Sequence, residues 1–163
     1  MKDWMKKPPE QRVLILGVGN LLMGDEGIGV HAVRELSKRA LPSHVDVVDG
    51  GTAGLEILGL MEGYGRVVII DAVDAGLEPG SVLRFGPQDV TPEDVDLPLS
   101  LHQQKVLRVL ELADYLGRDL APIVIYGMQP EAMGWSTELS PAVQARLDSL
   151  LDAIEKELSV EET

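Results

Sequence analysis

Three short runs, Val13–Leu16, Val67–Ile70 and Ile123–Tyr126, are apolar at every position. Strands buried on both faces of a parallel sheet read this way. Val45–Val48 is a further strand that ends in Asp49-Gly50-Gly51, and Val82–Phe85 follows the Pro79-Gly80 turn. Helical periodicity occupies the intervals. A helix from about Glu26 to Arg39 places Ile28, Ala32, Val33 and Leu36 on one face. Leu55–Met61 fits a short helix. Ser100-Leu101-His102-Gln103 has capping-box spacing, with Ser100 as N-cap and Gln103 at N3, and opens a helix to about Leu116. Ser140-Pro141 opens the last helix, which packs Val143, Leu147, Leu150, Ile154 and Leu158.

Strands that alternate with helices predict an α/β domain with a mostly parallel sheet. Such sheets bind ligands where the chain leaves the carboxyl ends of the strands, at the topological switch point. The residues to watch are therefore Asp25 and Glu26, Asp49, Asp71, and beyond the last strand Gln129 and Glu131. Gly86 to Leu99 is a long, acidic, proline-bearing loop, a length more often functional or mobile than incidental.

Composition narrows the classes. The chain has 163 residues and a net charge of −13, from 14 basic and 27 acidic side chains. That charge repels nucleic acid and anionic lipid. The absence of cysteine removes disulfides, a thiol nucleophile and thiolate metal sites. No apolar run reaches the roughly 18 residues of a membrane span. The amino end lacks the apolar core of a signal peptide. The expectation is a cytoplasmic protein with a flexible tail over residues 1–11, one domain over 12–158 and a frayed end over 159–163.

The glycine loop Gly17-Val-Gly-Asn-Leu-Leu-Met-Gly-Asp-Glu26 sits where a dinucleotide fingerprint would. Gly17 and Gly19 fit it, and Asp49 stands about where a ribose-binding acid belongs. Leu22 occupies the third glycine position, however, and Asp25 and Glu26 would repel a pyrophosphate at the helix start. Those acids could serve only to offset the helix dipole, by about 0.3–1 kcal/mol. Asp71 emerges at the rim of a buried strand and needs a partner, either backbone N–H groups or a metal ion. His102, in a helix first turn, is kept neutral by the helix dipole, as a metal ligand must be; the alternative is a ring facing water. His31 and His44 read as surface residues. Two carboxylates and an imidazole would suit zinc, nickel, cobalt or manganese.

The stretch Val13–Val30 resembles the opening of the nickel-iron hydrogenase maturation endopeptidases. Asp49-Gly-Gly-Thr-Ala-Gly-Leu55, Ile70-Asp71-Ala72, Ser100-Leu-His102-Gln103 and Gly127-Met-Gln-Pro-Glu131 match that family too, in order, over about residues 12–158. The resemblance implies a three-layer sandwich: a twisted five-stranded, mostly parallel sheet, antiparallel at Val82–Phe85, with helices on both faces. It implies an endopeptidase that removes the C-terminal extension of the hydrogenase large-subunit precursor after nickel insertion. By motif, the metal ligands would be Glu26, Asp71 and His102. Nickel would arrive with the precursor, with zinc or cadmium able to stand in, and neither nucleic acid nor membrane would be a partner.

With no cysteine and no Ser-His-Asp arrangement, water must attack the peptide bond, activated either by the metal or by a carboxylate acting as general base. Asp25 and Asp49 are the candidates for activating it, although Asp49 could equally brace the Gly50-Gly51 turn. Gly50, Gly51 and Gly54 could admit a substrate backbone or simply serve turns. The competing class is a nickel- or nucleotide-binding module without hydrolysis.

Overall fold

In the computed structural model, the described residues are 7–89 and 101–159, with side chains described from 106 in the second of these segments. Five strands, β1 (Val13–Val18), β2 (Val45–Gly51), β3 (Arg66–Ala72), β4 (Val82–Phe85) and β5 (Ile123–Met128), form one sheet in the order β2-β1-β3-β5-β4. All pairings are parallel except that of β4 with β5. The helices are α1 (Ile28–Leu36), α2 (Glu56–Met61), α3 (Leu101–Tyr115) and α4 (Pro141–Ser159). The expected three-layer architecture with one antiparallel strand is the architecture found.

Alternation along the strands divides the core in two. Val13, Ile15, Val68 and Ile70 pack with α1 and α4, against Leu36, Val143, Leu150 and Ile154. Leu14, Leu16, Val67 and Ile69 face the other way, onto Ile57 of α2 and Val106 and Leu110 of α3. All the core positions expected for the first and last helices are buried. Glu157 of α4 ties the antiparallel edge down: it accepts hydrogen bonds from Arg84 Nε at 3.0 Å and Tyr126 Oη at 2.8 Å, and pairs with Arg66.

Three boundaries differ from the sequence reading. The four parallel strands run two or three residues past the carboxyl ends of their apolar cores, because the ladder needs only backbone and carries Asp49 and Asp71 within it. The first helix begins as a 3-10 turn, Gly24–Gly27, before the α-helix at Ile28. Regular structure starts before residue 12: Pro9–Gln11 forms a 3-10 turn whose Glu10 backbone lies against Gly65. The Ser100 cap and most of the acidic loop, residues 90–100, lie outside the described residues.

The order of strands puts the switch point between β1 and β3. From β1 the chain moves outward to β2, and from β3 it moves the opposite way toward β4 and β5. The glycines make this crevice tight. A Cβ on Gly29 would collide with the carbonyl oxygens of Val18 and Ile70, and a Cβ on Gly17 with that of Gly29. The start of α1 therefore rests directly on the backbone of β1 and β3. We expect Gly29→Ala to lower unfolding free energy by about 2–3 kcal/mol, as overpacking against rigid backbone does; urea denaturation of the metal-free protein measures it.

Candidate active site

Two buried carboxylates stand at the switch point, in opposite circumstances. Asp25 is 0% exposed and is saturated with donors. Its Oδ2 accepts from the N–H of Glu131 (2.8 Å), the N–H of Ala132 (2.9 Å) and the hydroxyl of Ser140 (2.7 Å). Its Oδ1 accepts from the N–H of Ser140 at 2.8 Å. Its own N–H donates to the Ala132 carbonyl at 2.9 Å. Around it the segment after β1 is zipped to the segment after β5. Gly24 N–H donates to the Ser136 carbonyl at 2.8 Å, Ser136 N–H to the Leu22 carbonyl at 3.0 Å, and Met23 forms a β-bridge with Ser136. Ser140, read as opening the last helix, spends its hydroxyl on this carboxylate.

Asp71 is 3% exposed and, among the described residues, has one donor, the N–H of Ala72, at 2.8 Å to Oδ1. Burial pushes its carboxyl well above the usual range. The Ala72 hydrogen bond works against that rise, and the charge of Glu26 adds to it. The 3-10 turn that carries Glu26 packs against β3, so the Glu26 charge is felt at Asp71. Asp71 also borders a small cavity with Ile69, Val73, Phe85, Val106 and Leu107.

His102 lies in the first turn of α3, one turn before Val106, which lines the cavity at Asp71. The His102 side chain is outside the described residues. Among the described side chains no third acid or imidazole joins Glu26 and Asp71. A pair of carboxylates, one desolvated and both anionic when ionised, suits a divalent cation, which would relieve burial and repulsion together.

Asp49 is exposed, and its Oδ1 accepts the Gly51 N–H at 2.8 Å, so it does brace the turn. Gly51 in turn accepts from Gly19 N–H at 2.8 Å, and Gly19 lies against the Glu26 carbonyl. The Asp49 turn is thus one link from Glu26. Gln129 is a buried scaffold residue: its Oε1 accepts from Ala75 and Leu77 N–H, and its Nε2 donates to Asp74 and Pro130.

His31 corrects the surface expectation. It is partly buried, with Nε2 lacking a partner among the described residues. Burial first, then the Arg34 charge, holds its pKa below the usual histidine value. No nearby sequence signal announces this, because Thr137 reaches the ring from more than a hundred residues away.

Comparison with known proteins places this site in context. The sequence model of the hydrogenase maturation protease family (HycI) matches residues 30–157. Hydrogenase expression/formation protein HupD of Bradyrhizobium diazoefficiens is 38% identical over 145 residues, which cover 88% of this chain and 76% of that one. Hydrogenase 2 maturation protease of Escherichia coli is 34% identical, with 88% of each chain covered. Among solved structures, the hydrogenase maturating endopeptidase HybD from E. coli superposes with a TM-score of 0.81 at 34% identity, over 92% of this chain and 93% of that one. The [NiFe] hydrogenase maturation protease HybD from Thermococcus kodakarensis gives 0.72 at 31% identity, over 89% and 97%.

The Asp71 shift sets a sign for stability. Below the unfolded pKa of about 4 both states hold the proton and nothing is lost. As pH rises, the unfolded chain releases its proton while the folded one holds it against burial, so stability falls until the folded pKa is passed. Metal-free Asp71→Asn is therefore expected to have a higher urea midpoint than the natural chain at pH 7. The gap should close as pH approaches about 4.

Proposed function

The chain belongs to the hydrogenase maturation protease family, and on that premise we propose that it removes the C-terminal extension of the nickel-iron hydrogenase large-subunit precursor after nickel insertion. The nickel already bound in the precursor is the recognition signal. The observation that carries this reading is Asp71, a desolvated carboxylate with a single hydrogen-bond donor among the described residues, within reach of the Glu26 charge at the switch point. Asp25 shows that this fold can satisfy a buried acid fully; Asp71 is left in want of a cation.

Glu26, Asp71 and His102 would hold the nickel that the precursor presents. When bound, the ion supplies positive charge that draws the scissile region into the crevice and neutralises the two carboxylates. Position 102 supports its inclusion, being one helical turn from Val106 beside Asp71. Precursor without nickel has nothing to offset the repulsion of the two acids, and so is spared. Zinc or cadmium, with similar ligand preferences, can stand in for the ion in binding experiments.

Hydrolysis adds water to the scissile carbonyl and releases the extension as an amine. Of the two acids proposed to activate water, Asp25 has both oxygens engaged and no exposure, and serves as the brace that fixes Glu26. Asp49 is exposed, with Oδ1 on the turn, and Oδ2 is the oxygen able to take a proton from water. Among the described residues no helix is long and apolar enough to cross a membrane, and the proposed reaction takes place in the cytoplasm.

Nickel-loaded and nickel-free precursor, each mixed with the protein and weighed by mass spectrometry, test the reading. The extension is expected to leave only the loaded form, with Glu26→Gln and His102→Ala inactive. Equal trimming of both forms contradicts nickel gating. Asp49→Asn, which retains an oxygen for the Gly51 N–H, is expected to keep its fold and lose about a hundredfold or more in single-turnover rate, the size of a general-base contribution. Full activity in that variant would reduce Asp49 to a turn brace.

A further inference from the structure

Four segments leave the carboxyl ends of the inner strands and β2: residues 19–27, 49–56, 72–81 and 129–140. Their composition is unlike the rest of the chain. Each carries two acids, and none carries a lysine or an arginine, although the chain has 14. Each also exposes one large apolar side chain: Leu22 is 54% exposed, Leu55 59%, Leu77 45% and Trp135 84%.

Leu22 and Trp135 are neighbours by construction. Ser136 N–H donates to the Leu22 carbonyl at 3.0 Å, and Met23 bridges Ser136. The same ladder carries Asp25, whose four hydrogen bonds fix the two segments together. The indole therefore projects from a segment whose backbone is hydrogen-bonded to the one that carries Glu26. An exposed tryptophan on a rigid support, with apolar neighbours and a charged rim, has the makeup of an interface anchor.

Resting on the function proposed above, we infer that this rim is the docking face for the folded body of the large-subunit precursor, with Trp135 and Leu22 as its apolar anchor. The matching face of the precursor is apolar at its centre and ringed by lysine and arginine. Charge complementarity selects that occupant: every charged side chain of the four segments is an acid, so a second copy of this acidic chain would meet like charge. Position selects it too, since the rim surrounds the crevice that the scissile region must enter. The contact supplies binding that the metal ligands need not provide, and it is distinct from the chemistry.

The test uses nickel-loaded precursor and steady-state cleavage. Trp135→Ala and Leu22→Ser are expected to raise KM at least about tenfold with kcat within about twofold, the loss typical of an interface anchor. Leu112→Ser, at an exposed position on α3 away from the rim, should leave both unchanged. KM of the natural chain should rise with added salt. Docking is read separately by fluorine NMR of protein labelled with 5-fluorotryptophan, in which the Trp135 signal, assigned with Trp135→Phe, should move on adding precursor. Cleavage with an unmoved signal and unchanged KM overturns the docking face alone. A moved signal without cleavage keeps the docking face and overturns the protease assignment. Neither docking nor cleavage overturns both.

Discussion

Direct backbone contact between the start of α1 and the ends of β1 and β3 governs the rest of the site. It exists because positions 17 and 29 have no side chain. With the helix pressed onto the strands, the 3-10 turn before it packs against β3 at the switch point, and the charge of Glu26 reaches Asp71. A phosphate-binding loop uses glycine to bring backbone N–H groups close to an anion. Here glycine brings backbone close to backbone, and the residues at the crevice so made are acids, Glu26 and Asp71.

Two buried acids a short distance apart divide the work. Asp25 has four donors and locks the segment after β1 to the segment after β5. Asp71 has one donor among the described residues and feels a negative charge from Glu26. Full satisfaction is how a fold treats a structural carboxylate. Partial satisfaction persists where function needs the strain, and it costs stability whenever no cation is present. The contrast between the two acids is more informative than the burial of either.

Much of this was legible in the sequence for physical reasons. The inner strands are apolar on both faces, so Val13–Leu16, Val67–Ile70 and Ile123–Tyr126 announce themselves, and an acid at the end of such a strand marks the rim. The periodic faces of α1 and α4 were equally plain. What escaped was set by contacts distant in the chain. Asp25 and Glu26 look alike in sequence, and only the loop 131–140, more than a hundred residues on, marks Asp25 as the brace and leaves Glu26 as the proposed ligand. His31 looks exposed until Thr137 covers it. The β4 strand could be placed by its turn, but its antiparallel sense came from the family resemblance and not from its four residues.

The central claim is that Glu26 and Asp71, with His102, share one divalent ion at the junction of β1 and β3. Crystals of the protein soaked in nickel and measured at the nickel absorption edge test it most directly. The account predicts one anomalous peak at about 2.0–2.3 Å from a carboxylate oxygen of Glu26, a carboxylate oxygen of Asp71 and a ring nitrogen of His102, distances ordinary for such ligands on a small divalent metal. A peak bound elsewhere, or a filled site that leaves Asp71 untouched, would contradict it.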